Sequence, residues 1–488
     1  MAKYTIKTIF HGPLINPTSL LSFDTIPKCL VGVNSDGNIA WIERDVSDGQ
    51  VKEAMDRKGH LHSDGLEVEV IELKEGQFIM PGFIDTHTHA PQVPNIGTGY
   101  RYELLEWLEK YTFPLEAQFA DVEYAKKVYP EIVKRFIQCG TTTCCYYSTI
   151  HLASSKVLAD IVHSVGQRAL IGKCNMDRHC PEYYREESAQ RSVEDTRAFI
   201  KYVEPLPLVY PVVTPRFAIS CSRELLAGLG ELANAASTSP LHIQTHISEN
   251  PSEVAWAGEL FPECKNYASI YDKYHLLRRG TILAHGVWLD EDEVALIQER
   301  GSGISHCPTS NFNLKSGVAP VGRYLDCGVK VGLGTDVSGG FSPSMLVTMR
   351  NASIASTVVA LGHQHGRLNC ATSGSTSTYD HGSNSGFSGS PLALATLFFL
   401  ATLGGAQVCA LEDRIGSLDV GKAWDALIVD LQEGSNPALW SQESEEEERN
   451  NLAHQLERFI FCGDDRNVYG VWVQGRLIGG TSFVEGSK

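Results

Sequence analysis

The 488-residue sequence predicts an α/β chain, a (β/α)8 TIM-like barrel carrying a small composite β-sandwich domain built from both ends of the chain. Three observations carry that prediction. Short apolar runs alternate with helix-patterned segments across the middle of the chain. The two ends share hairpin-like runs broken by turn residues, and several of the middle runs finish on a histidine or an aspartate. The length suits this division, because 488 residues are too many for one compact core and enough for a large barrel with an appendage.

The amino-terminal part reads as strands. Leu30-Val31-Gly32-Val33 is followed by Asn34-Ser35-Asp36-Gly37-Asn38-Ile39, a hairpin signal. Near the other end, Ala426-Leu427-Ile428-Val429 and the run Gly470 to Ile478 have the same character, with Gln474-Gly475 as a turn between two strands. The two ends are therefore expected to pair, residues 1–79 and 406–488 forming the β domain and residues 80–405 the barrel.

Within the barrel, buried-strand runs are expected at Phe83-Ile84-Asp85, Gly140 to Cys145, Arg168 to Gly172, Leu208 to Val213, Leu241 to His246, Thr281 to His285, Gly303-Ile304-Ser305 and Val329 to Gly334. Their alternation with helical patterns argues for βα units and a parallel sheet that closes at eight. One helix is legible where Val128, Ile132 and Phe136 repeat every four residues before Gly140, which places Pro130 in its first turns.

Residues 361–391, rich in Gly, Ser, Thr, Asn and His, read as a flexible surface insertion, and the acidic run 443–448 as a solvated face. A formal charge of −17 is the wrong sign for a surface that attracts phosphate, so neither nucleic acid nor anionic membrane is expected as a partner. The amino terminus lacks the apolar core of a secretory signal, and no stretch reads as long and apolar enough to span a bilayer. Thirteen cysteines without a C-x-x-C pair suit reduced, buried thiols, with Cys144 and Cys145 as core filler. The expectation is a cytoplasmic protein. No G-x-S-x-G nucleophile elbow and no G-x-G-x-x-G occur, and the nearest approach to a P-loop, Gly416 to Lys422, has Ala423 where a Ser or Thr is needed.

The chemistry concentrates at the strand ends. His87 and His89 close the first barrel strand, and residues i and i+2 of a strand point to the same side, so both imidazoles can hold one divalent metal. His246, His285 and Asp336 end three further runs. A lone histidine at a strand end is more often a hydrogen-bonded core residue, but four metal-competent strand ends in one barrel converge on the face where barrel active sites are built. Three His and one Asp lock a metal in place while leaving room for a water, whose pKa the metal lowers. Glu249, three residues after His246, is expected to begin a helix and to shuttle protons without ligating the metal; the competing reading is a first-turn glutamate that complements the helix dipole. His285 is placed beside the metal as a hydrogen-bond partner of the attacking oxygen, and Asp336 on it.

Pro81-Gly82-Phe83-Ile84-Asp85-Thr86-His87-Thr88-His89, the pair His246 and Glu249, Ala284-His285-Gly286, Ser305 to Asn311 and Gly334-Thr335-Asp336 together resemble the amidohydrolase superfamily, over almost the whole chain. The resemblance implies a single zinc per subunit on His87, His89, His246 and Asp336. No lysine stands at the fourth strand tip, as the two-metal branch requires; Thr214-Pro215-Arg216-Phe217 stands there instead. His89-Ala90-Pro91-Gln92, Leu104 to Pro114 and Pro215-Arg216-Phe217 closely resemble segments of the guanine deaminase family. That likeness implies hydrolysis of guanine to xanthine and ammonia in purine catabolism or salvage, by a homodimer. Gln92 and Arg216 would grip the purine, Phe217 would wall it, and His246 would border it. Asn175-Met176-Asp177 would lie near the base, Glu249 would carry the proton to N3 and then to the amine, and His285 with Asp336 would steady the attacking oxygen. The insertion and the acidic run depart from the family pattern. The alternatives are a hydrolase of another ring, such as a cytosine, a pterin, an 8-oxopurine or a triazine, and a metal-free scaffold; such scaffolds have typically lost ligands, which this sequence keeps.

Overall fold

The computed structural model describes residues 5–58, 68–235, 241–364, 386–432 and 451–484. Strands β1 (Ile6–Ser19), β2 (Ser22–Asn34) and β3 (Ile39–Arg44) form an antiparallel meander, and β4 (Glu69–Glu72) and β5 (Gln77–Pro81) run parallel to β1. Immediately after β5 the chain enters the barrel through β6 (Phe83–His89).

The barrel continues with β7 (Thr141–Tyr147), β8 (Arg168–Gly172), the short β9 (Cys174–Asn175), β10 (Val209–Pro215), β11 (His242–Ile247), β12 (Thr281–His285), β13 (Gly303–His306) and β14 (Lys330–Leu333). Eight of these lie side by side and parallel in the order β6-β7-β8-β10-β11-β12-β13-β14, with β9 extending β8 alongside β10. Each expected run overlaps one of the eight, and the first strand runs on to His89, four residues past its run. Parallel strands covered on both faces read as continuous apolar runs, which is why periodicity found them. Between the two ends of the sheet single bonds replace a ladder: Thr86 Oγ1 donates to Leu333 O at 2.9 Å, Asp336 N to His87 O at 2.9 Å and His89 N to Val337 O at 3.1 Å. These bonds clip the strand carrying two histidines to the loop carrying Asp336.

Strands β15 (Ala426–Asp430), β16 (Val468–Val473) and β17 (Arg476–Gly479) return to the first sheet, β15 pairing antiparallel with β5. The result is one continuous mixed sheet, β17-β16-β15-β5-β1-β2-β3, with β4 beside β1. It curls around its own core: the rings of Phe10 on β1 and Trp472 on β16 lie 5.5 Å apart although two strands separate them in the sheet. Gln474 and Gly475 both take positive φ, +49° and +72°, as a two-residue hairpin turn requires. The guanidinium of Arg168 on β8 meets the Asp425 carboxylate at 2.8 and 3.1 Å and reaches Gln474 Oε1 at 3.0 Å, tying the foot of the barrel to this sheet.

The helix predicted from Val128, Ile132 and Phe136 spans Val122–Gln138, capped by the Asp121 carboxylate. Pro130 sits in its middle, not in its first turns, because the helix starts before the apolar repeat becomes visible. Burial of Tyr129, Ile132, Val133 and Phe136 holds the helix together across the missing N–H. Cys144 and Cys145 are fully buried, as expected of core filler. The helix Met345–Gln364 is long and apolar enough to cross a membrane, against the sequence expectation, but Met345, Leu346, Met349 and Ala352 are buried in the main core, as in a core helix of the barrel. It also runs into the anticipated insertion, so residues 361–364 are helical, and Phe387 N and Ser388 N are held by the Asp326 carboxylate at 2.7 and 2.9 Å. The rest of that segment, residues 365–385, lies outside the described residues, as does the acidic run 443–448.

Candidate active site

The polar strand ends converge at the carboxyl-terminal mouth of the barrel. β6 is buried throughout and its alternation points His87 and His89 inward together. His246 is the fifth residue of β11, His285 ends β12, and Asp336 follows β14 by three residues. His285 and Asp336 hold left-handed backbone, φ +75° and +44°, as does Ser248 at +46°, a conformation non-glycine residues seldom adopt outside functional turns.

The donor atoms are close. His87 Nε2 lies 3.0 Å and His89 Nε2 3.4 Å from Asp336 Oδ1, while His89 Nε2 and His246 Nε2 are 3.1 Å apart. Donor atoms of His87, His246, His285 and Asp336 all fall within 4.8 Å of one another, so His285 shares the cluster that the sequence assigned to His87, His89, His246 and Asp336. Outer contacts aim the rings. His246 Nδ1 donates to Arg216 O at 2.6 Å and His285 Nδ1 to Asn311 Oδ1 at 2.9 Å, leaving each Nε2 for the centre. Both nitrogens of His87, Nδ1 of His89 and Nε2 of His285 are buried without a hydrogen-bond partner. Orphaned buried imidazoles around a carboxylate are costly unless something binds there, and this donor set fits a divalent metal.

Electrostatics agree with a ligand role. Burial drives His87 down, and His89 and His246 well below the usual imidazole value, so they stay neutral. Burial alone would raise Asp336, but the neighbouring imidazoles of His87, His285 and His89 outweigh it and hold the carboxyl well below its usual range. His285 moves the other way: burial opposes its charge, yet the carboxylates of Glu249 and Asp336 raise it.

Glu249 does not begin a helix. The helix Pro251–Leu260 starts behind Asn250, and Glu253 completes its capping box, so the first-turn duty belongs to Glu253. Glu249 instead faces the cluster, Oε2 at 3.3 Å from His285 Nε2 and Oε1 accepting from Ser316 Oγ at 3.0 Å, and burial pushes its carboxyl up to about 7.

A pocket opens over this cluster between Leu104, Trp107, Leu108, Gln92, Arg216 and Phe217. Arg216 and Gln92 do not hang free in it. Both are held by Glu116, which takes Arg216 Nη1 at 2.7 Å, Arg216 Nη2 at 3.1 Å and Gln92 Nε2 at 2.8 Å. Phe217 is buried against the pocket. The triplet Asn175-Met176-Asp177 does not line the pocket: Asn175 donates to Ser192 and Thr196, and Asp177 accepts from Ser222 ahead of the helix Arg223–Asn234. Short polar side chains after a strand satisfy neighbouring helices as readily as a ligand, and here they do.

Sequence reasoning missed Glu116, Asn311, Ser316 and Asp85. Asp85 accepts from Thr335 N at 3.0 Å, Thr335 Oγ1 at 2.5 Å and His87 N at 3.2 Å, joining the segments that carry His87 and Asp336, and burial pushes its carboxyl up to about 7. Asp85 and Asn311 stood inside the motifs that carried the resemblance, whereas Glu116 had no local signal.

Known proteins resemble the chain over almost its whole length. The family model described as "Amidohydrolase family" matches residues 78–379 and 382–478. A relative from Schizosaccharomyces pombe named "Probable guanine deaminase" is 45% identical over 478 residues, 97% of this chain and 83% of its own length. The guanine deaminase of Homo sapiens is 37% identical over 480 residues, 96% of each chain. Among solved structures, guanine deaminase from C. acetobutylicum with guanine bound in the active site superposes with a TM-score of 0.80 at 33% identity, covering 97% of this chain and 100% of that one.

Proposed function

The chain belongs to the amidohydrolase family, and from that premise we propose that it hydrolyses guanine to xanthine and ammonia with one zinc per subunit. The observation that carries this reading is the placement of Arg216 and Gln92 on one wall of a pocket whose floor is His89, His246, His285, Asp336 and Glu249. The relatives at 37% and 45% identity named for guanine deamination, and the guanine-bound neighbour, support the same substrate.

His87, His89, His246 and Asp336 would hold the zinc, which when bound supplies Lewis acidity and an activated water. The other steps fall to the chain. Arg216 and Gln92 orient the ring so that C2 faces the cluster; a guanidinium supplies donors for the 6-oxo group, and adenine, lacking that acceptor, would leave buried donors unpaired. Glu249, its affinity for protons raised by burial, takes the proton released as water adds at C2 and delivers it to N3, then takes the remaining proton from the added hydroxyl and passes it to the amine as the C2–N bond breaks and ammonia leaves. His285 Nε2, beside Glu249 and Asp336, is placed to hydrogen-bond the incoming oxygen. Phe217, Trp107 and the leucines keep the base in an apolar sleeve.

The test is to mix zinc-loaded protein with guanine and follow xanthine by ultraviolet absorbance, with adenine and cytosine in parallel. Guanine-selective conversion that tracks zinc content supports the reading; turnover of another ring amine without guanine overturns it. The same reading takes the enzyme as a cytoplasmic homodimer in purine catabolism, to be checked by analytical ultracentrifugation and by imaging the tagged chain.

A further inference from the structure

Among the described residues, Glu116 is the one acid that the proposed reaction leaves unused although it reaches both base-reading side chains. It sits in the helical segment Phe113–Ala117, fully buried, and 100 residues from Arg216 along the chain. Its four lone-pair directions are all taken: Oε2 accepts from Arg216 Nη1 at 2.7 Å and Tyr184 OH at 2.6 Å, and Oε1 from Gln92 Nε2 at 2.8 Å and Arg216 Nη2 at 3.1 Å. A saturated carboxylate has nothing left for a substrate. Its effect falls on its partners.

Of the five N–H donors on a guanidinium, Glu116 takes two from Arg216, and the Cys174 thiol at 4.0 Å takes a third. The remaining two are left for the pocket, which Arg216 lines. Gln92 is fixed in the same way: Nε2 donates to Glu116 while Oε1 accepts from Ser338 N at 3.2 Å, so its amide cannot flip. Phe113, on the Glu116 segment, stacks under the Arg216 guanidinium at 5.2 Å. The short helices just before it carry Leu104, Trp107 and Leu108, which wall the pocket.

We propose that Glu116 is a positioning residue for substrate selectivity: by clamping Arg216 and Gln92 together it presents a fixed pair of donors to the 6-oxo edge of the purine. This rests on the guanine reading above. Glu116→Gln keeps the shape but sets an amide N–H against an arginine N–H, so the guanidinium loses its fork partner and turns away.

The experiment measures kcat and KM for guanine, and the affinity of 2-aminopurine as substrate or competitive inhibitor, in wild type, Glu116→Gln, Arg216→Met and the double variant, with zinc content determined for each. 2-Aminopurine keeps the 2-amino group and ring but lacks the 6-oxo acceptor. Glu116→Gln is expected to raise KM for guanine about tenfold or more, leave kcat within about threefold and 2-aminopurine affinity within about threefold, and add little once Arg216 is already Met. Zinc content stays at the wild-type value. An unchanged KM for guanine, an equal loss for both purines, or full additivity with Arg216→Met overturns the proposal, because a merely structural counter-ion gives no purine selectivity. Should Glu116→Gln not fold, Glu116→Asp, which draws the carboxylate back from Arg216 and Gln92 together, takes its place, and an unchanged KM for guanine in that variant counts equally against it. If the wild type does not turn over guanine at all, it is the reading under Proposed function that falls.

Discussion

Glu249 Oε2 stands 3.3 Å from His285 Nε2, while Ser316 Oγ fixes the other oxygen of the same carboxylate at 3.0 Å. The carboxylate is therefore turned toward the histidine cluster and away from the helix that follows it. Replacing Glu249 with Gln keeps the Ser316 bond and the packing but removes the proposed proton carrier. We expect kcat to fall by about 100-fold or more with zinc retained at wild-type stoichiometry, as measured by steady-state kinetics and metal analysis on one preparation. Full activity in that variant removes Glu249 from the mechanism.

Asp336 brings the only carboxylate among the cluster's mutually close donor atoms, and its Oδ1 lies 3.0 Å from His87 Nε2. An Asp336→Ala variant leaves neutral imidazoles alone to hold a dication. Zinc content after dialysis should fall well below one per chain. Stoichiometric zinc in that variant would mean that the ligand set is wrong.

The eight barrel strands and the polar residues at their tips are legible because each is local: a strand buried on both faces is an apolar run, and the candidate site residue is the polar one at its end. The same locality explains what was not read. Glu116 looks like any glutamate on a helix, and its partner Arg216 lies 100 residues away, so only the closed barrel brings them together. Glu249 faces the cluster although no helix begins at it, since that helix start belongs to Asn250 and Glu253. Asn175 has the composition of a binding residue but donates both amide N–H groups to Ser192 and Thr196.

Asn311 tests whether aim matters as much as ligation. Its Oδ1 accepts from His285 Nδ1 at 2.9 Å, which turns Nε2 toward the cluster, where the proposed reaction places the incoming oxygen. An Asn311→Ala variant should lose about 10- to 100-fold in kcat while KM for guanine changes little, because no base-reading residue is touched. Equal changes in both constants would indicate a general collapse of the pocket.

Glu293 offers a pH test away from the metal cluster. It is buried, accepts from Asp290 N and Ala268 N at 2.9 Å each, and burial pushes its carboxyl up to about 7. Since the folded state then binds the proton more tightly than the unfolded chain, stability contributed by this group is full below the ordinary glutamate value of about 4.3 and is lost as pH rises toward 7. The melting temperature of Glu293→Gln relative to wild type should therefore become more favourable as pH rises from about 4.5 to 7. A difference that is flat across that window would place the carboxyl at its ordinary value.

The Arg168–Asp425 pair decides how firmly the barrel foot and the composite sheet are joined. Both side chains are buried, the fork is bidentate at 2.8 and 3.1 Å, and the Asp425 carboxylate also accepts from Gln474 N at 2.8 Å. Removing one partner strands the other charge in the interior, which costs about 3–5 kcal/mol, whereas exchanging both for apolar residues of similar volume costs far less. Arg168→Met should therefore lower the melting temperature more than the double variant Arg168→Met, Asp425→Leu, with kcat per folded molecule unchanged in both because the pair lies at the end of the barrel opposite the histidines. The Gln474 N–H left without its acceptor limits the recovery in the double variant. If the single variant melts like wild type, the two parts are held by their apolar contact alone and the buried pair contributes only register.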